Sequence, residues 1–100
     1  MDKKVKKYVD YVVNDLVKKT EIDIDNELIY FPYATLPFAP KIDIGRVPIS
    51  YRSLLFFLPN FPRFVSYVEK IYGVGMIEEI NIIWDQYRVK LIKQINYLIE

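Results

Sequence analysis

Acid–base or nucleophilic catalysis near neutral pH needs a side chain that titrates there, or one activated by a neighbour. This sequence contains no His and no Cys, which leaves carboxylates, lysines, tyrosines and hydroxyls. Glu78 and Glu79 are consecutive, and consecutive positions on a helix do not face each other. At a helix start they serve the dipole instead. The chain is therefore read as non-enzymatic, with no catalytic residue, no cofactor and no metal ligands.

Three further patterns fail on their spacing. Asp23-Ile24-Asp25-Asn26-Glu27 opens like a calcium loop, but the required Gly falls at Leu28 and the bidentate Glu at Ala34. Gly73-Val74-Gly75 precedes a helix as a phosphate-cradling loop does. Its third Gly position is Glu78, and a helix rather than a strand comes before it. Pro37-Phe38-Ala39-Pro40 and Pro59-Asn60-Phe61-Pro62 have the PxxP form, yet neither has a well-placed arginine and both lie among aromatics.

The stretch from residue 46 to 64 makes the best case for a polymer ligand. Arg46, Arg52 and Arg63 alternate with Tyr51, Phe56, Phe57, Phe61 and Phe64, the mixture that stacks bases and neutralises phosphates. This supports an accessory single-stranded nucleic-acid-binding protein as the alternative reading. Against it, the net charge is only +1, whereas nucleic-acid-binding domains are usually clearly basic.

Charge is patchy rather than directional. Residues 1–19 carry six lysines against three aspartates, and residues 20–40 carry only Glu21, Asp23, Asp25 and Glu27. No apolar run exceeds the five residues from Leu54 to Leu58, far short of a membrane span. The N-terminal lysines are followed by no apolar h-region. An intracellular, cytoplasmic location is expected, with no membrane partner. Fourteen Ile, ten Lys and nine Tyr against two Ala suggest an AT-rich coding genome, such as many phages, archaeal viruses or small marine bacteria have.

The elements that would position these residues make one α+β domain over 1–100. Val5, Val9, Val12 and Leu16 recur at helical spacing and predict an amphipathic helix over 3–19, capped by Asp2. From Glu21 the period becomes two. Strands near 21–24 and 28–31 then form a hairpin about Asp25-Asn26. Lys41–Ile44 and Val47–Ile49 supply further short strands, with Gly45-Arg46 turning between them. Ser50 caps a short helix over 51–58 that Pro59 ends. Pro62 opens a helix over 62–72 and Gly73 closes it in the left-handed C′ position.

The remaining residues, 76–99, read as one long amphipathic helix that completes a C-terminal helical hairpin. Ile77, Ile80, Trp84, Tyr87, Leu91 and Leu98 fall at spacings of three and four, with Gln94 as a polar step in the seam. At about 1.5 Å per residue the rod is roughly 36 Å long, more than a body of this size needs. Its outer edge, with Trp84, Tyr87, Leu91 and Tyr97, is expected to meet a second copy or a protein partner. The function expected is a small non-catalytic interaction or assembly module that self-associates through this helix. No small-molecule ligand is expected.

Overall fold

The computed structural model describes residues 3–35 and 47–100. The chain is α+β, with three helices around a small three-stranded antiparallel sheet. Helix α1 spans Lys3–Lys19. Strands β1 (Glu21–Asp23), β2 (Leu28–Tyr30) and β3 (Ile49–Ser50) pair in chain order. A five-residue 3-10 helix over Tyr51–Leu55 follows, then α2 (Phe61–Tyr72) and α3 (Ile77–Ile99). The expected Asp2 cap, the strand at 41–44 and the Gly45-Arg46 turn lie outside the described residues.

Helix α1 forms because its apolar residues line up on one side. Val9, Val12, Val13 and Leu16 are fully buried, while Lys3, Lys4, Lys6 and Lys7 are exposed. Lys18 and Lys19 complement the negative end of the dipole. Helix α1 packs closely along α3. Polar links brace it: the Thr20 hydroxyl meets the Tyr87 hydroxyl, and Lys90 Nζ donates to Asn14 Oδ1 at 2.6 Å.

The hairpin is in register from Glu21–Tyr30 to Asp23–Leu28. Asp23 fixes its turn by accepting from the Asn26 backbone N–H at 3.2 Å and from Asn26 Nδ2 at 2.8 Å. The left-handed residue of this turn is Glu27, with φ at 57°. Ile29 is buried, and Ile22 and Ile24 pack on the same core.

Helix α2 ends at Gly73, where φ is 71° and the amide donates to the Glu69 carbonyl at 3.0 Å. Only glycine adopts that conformation without a Cβ penalty. The return to α3 takes four residues, and Val74 among them is buried. Large rings then join the two helices. Trp84 lies 4.8 Å from both Phe61 and Phe64, edge to face, and Tyr87 stacks at 6.0 Å on Phe64.

The expected seam along α3 is corrected. The buried line is Ile80, Ile83, Tyr87, Leu91 and Ile95. Ile77 and Leu98 are exposed, and so is Gln94. Steps of three, four, four and four average 3.75, nearer the 3.6-residue repeat of a straight helix than the 3.5 of a coiled coil. Packing inside the chain, chiefly against α1 and the 3-10 turn, with the Phe61 and Phe64 rings of α2, sets which side faces inward.

The 3-10 helix is also shorter than the helix expected over 51–58. Its first turn is tightened by Ser53 Oγ donating to the Ser50 carbonyl at 2.8 Å. Both Phe56 and Phe57 amides then converge on the Ser53 carbonyl, which ends the regular run.

Candidate functional site

The run Leu54 to Leu58 divides by burial. Leu54 and Leu58, four apart, are buried in the core. The three residues between them are turned outward: Leu55 is 63% exposed, Phe56 80% and Phe57 55%. Exposed single apolar residues are ordinary, but three consecutive large ones concentrate apolar surface on one short turn.

The backbone carrying them is held from several sides. The Tyr51 amide donates to the Glu27 carbonyl at 3.0 Å. The Arg52 guanidinium grips the Glu27 carboxylate with two bonds, at 2.8 and 3.2 Å. That contact holds the Glu27 carboxyl below the usual carboxylate range, first through the hydrogen bond and then through the charge. Ser50 accepts from the Arg52 amide at 3.4 Å. From α3, Arg88 donates to the Leu55 carbonyl, while its buried Nε has no acceptor among the described residues. The apolar side chains are thus presented by an anchored turn.

Beside this turn lies a groove of about 190 Å³, lined by Tyr51, Leu54, Leu55, Ile92, Ile95 and Ile99. Arg52 and Asn96 complete its lining. On α3, Val89, Ile92, Asn96 and Ile99 recur at three, four and three, so they share one side. Val89 and Ile99 are about half exposed. The 3-10 turn and this side of α3 make a continuous, mostly apolar face.

Comparison with protein-family models, with curated proteins and with solved structures finds no match in any of the three.

The residues expected at an α3 interface are scattered. Tyr87 and Leu91 are fully buried within the single chain, which corrects their placement on an outer edge. Burial puts them on the core line of α3, with Tyr87 against the Phe64 ring of α2. Trp84 is partly buried against Phe61 and Phe64. Only Tyr97 stands free of the core, at 79% exposure. Tyr97 is two positions, and so about 200°, from Ile99, away from the groove.

The nucleic-acid candidates are similarly divided. Arg46 lies outside the described residues. Arg52 is exposed and paired with Glu27, Arg63 is exposed, and Tyr51 is partly buried. Phe64 is fully buried among Tyr33, Trp84 and Tyr87, so it presents no face to a base. Phe56 and Phe57 are the rings of that stretch with open faces. The signal for them was in the sequence: Leu at 54 and 58 as anchors, with Pro59 ending the run.

Among the described residues no three His, Cys, Asp or Glu side chains gather to hold a metal ion. No helix among them is long and apolar enough to cross a membrane. The clearest polar cluster joins α1 to α2. Tyr72 donates to Asp15 Oδ2 at 2.6 Å, Lys19 Nζ stands 3.1 Å from the same oxygen, and Tyr8 donates to the Tyr72 carbonyl. The Tyr72 hydroxyl and Lys19 hold the Asp15 carboxyl below its ordinary range. Burial first, and then Asp15, push the Tyr72 phenol up, which disfavours the phenolate a nucleophile would need. These contacts fit a brace between helices.

Proposed function

We propose that this chain is a small non-catalytic protein-interaction module that self-associates through the side of α3 bordering the 3-10 turn. The observation carrying this reading is the anchored, outward-facing Leu55-Phe56-Phe57 run beside an apolar groove. An anchored backbone loses little freedom on binding, so burial of those side chains is offset less by ordering. Aromatic residues in desolvated pockets contribute most of the energy of protein interfaces. The near-zero net charge of +1 leaves little repulsion between copies. Light scattering on the purified protein tests the reading: a mass above 12.0 kDa at tens of micromolar is expected, and a monomer there opposes it.

One observation favours a second reading, in which single-stranded nucleic acid stacks on the same face. Phe56 and Phe57 are open rings between Arg52 and Arg63 in the chain, and bases stack on such rings with little regard to sequence. Electrophoretic titration at low salt with single-stranded and duplex oligonucleotides separates the two readings.

A further inference from the structure

We infer that two copies pair about a twofold axis, with the Phe56 ring of each filling the groove between the 3-10 turn and α3 of the other. The inference rests on the self-association proposed above and names the contact that makes it.

An apolar cavity of about 150 Å³ lined by aliphatic side chains holds one benzene ring. The groove offers about 190 Å³ and is lined chiefly by Leu and Ile. It therefore suits a single phenyl group better than a helix or an extended peptide.

Phe56 is the most exposed large apolar side chain of the described residues, and it follows Leu55, a wall of the groove. The same short turn thus carries an exposed ring and part of the groove wall, and a twofold interface requires each copy to offer both halves of the contact.

Area and charge agree with this. Leu55, Phe56, Phe57, Val89 and Ile99 leave roughly 500 Å² exposed, taking about 150–250 Å² for each large side chain. Tyr51, Arg52, Ile92 and Asn96 at the margin bring the face towards the ~800 Å² per partner of a standard interface. Arg52, the one charged side chain lining the groove among the described residues, is already paired with Glu27, so pairing leaves no unpaired cation from that lining.

Sedimentation equilibrium, from one to several hundred micromolar, tests the pairing on the wild type, Phe56→Ala and Ile99→Glu. Both substituted residues are exposed, and unchanged thermal melts under dilute, monomeric conditions verify that each variant folds. The wild type is expected to form a dimer, and each substitution to raise its dissociation constant by about 30-fold or more. The mixture discriminates further. Phe56→Ala keeps an intact groove and Ile99→Glu an intact ring, so the two together re-form one of the two contacts. They should associate more tightly than either does alone.

A dimer that neither substitution weakens overturns this pairing and leaves self-association standing. A wild type that stays monomeric throughout overturns both. Binding of the monomer to vesicles of mixed phosphatidylserine and phosphatidylcholine, lost in Phe56→Ala, would assign the face to a lipid surface instead.

Discussion

The Tyr87 hydroxyl in the middle of α3 shares a hydrogen bond with the Thr20 hydroxyl just beyond the end of α1. Thr20 Oγ1 also bonds the Leu16 carbonyl at 2.7 Å. The phenol of a fully buried ring is therefore satisfied at the point where helix gives way to sheet. Removing it with Tyr87→Phe keeps the ring packing and deletes only the bond. A loss of about 1 kcal/mol in urea unfolding is expected. Tyr87→Ala should cost about 3–5 kcal/mol by emptying the space between Phe31 and Phe64.

Trp84 was a candidate for an interface, and its contacts assign it to the junction of α2 with α3. Trp84→Ala should lower stability by about 3 kcal/mol and leave the sedimentation behaviour of the folded fraction unchanged. A variant that dissociates without losing stability would return Trp84 to an interface role.

Acid should loosen the α1–α2 brace. The folded Asp15 carboxyl sits below its ordinary value because of Tyr72 first and Lys19 second. A carboxyl depressed in the folded state adds stability above its unfolded pKa and loses it as pH falls through the folded one. Wild-type stability should therefore fall more steeply than that of Asp15→Asn as pH drops below the free carboxylate value of about 4, measured by urea midpoints. Asp15 is partly exposed to solvent, so the difference should be small.

The alkaline limb has the opposite sign. Burial raises the Tyr33 phenol, whose hydroxyl donates to the Pro59 carbonyl at 2.6 Å, and Tyr72 is raised too. A phenol raised on folding contributes stability in full below its free value near 10 and loses it as pH climbs through the folded value. Unfolding should set in only above about pH 10, and Tyr33→Phe should flatten that limb in a circular-dichroism titration.

If nucleic acid is not the ligand, an electrophoretic titration at low salt should show no shift with single strands or duplex. A shift that Phe56→Ala abolishes and Arg52→Ala weakens would instead support stacking on the exposed rings.

Periodicity made the elements legible. The four-three-four recurrence of Val5, Val9, Val12 and Leu16, the switch to alternation at Glu21, and Gly73 after Tyr72 each have one local explanation, and each element is present. The side of α3 that faces inward was harder to read. Ile83 and Ile95 compete with Trp84 and Leu98 for the same stripe, and only the position of α1, α2 and the sheet decides between them. Phe64 failed for a related reason: a ring following an arginine has the same local pattern whether it stacks on a ligand or packs in a core. Phe56 and Phe57 were within the stretch singled out for its rings. What the pattern could not reveal was that Arg88, more than thirty positions away, would fasten Leu55 from α3.

Trp84 is the only tryptophan in the sequence, and it sits edge-on to two phenylalanines of the neighbouring helix. Its fluorescence is thus a built-in gauge of whether α2 is seated on α3. A red shift in emission ahead of the loss of ellipticity would reveal a species in which α2 has swung away while the secondary structure persists.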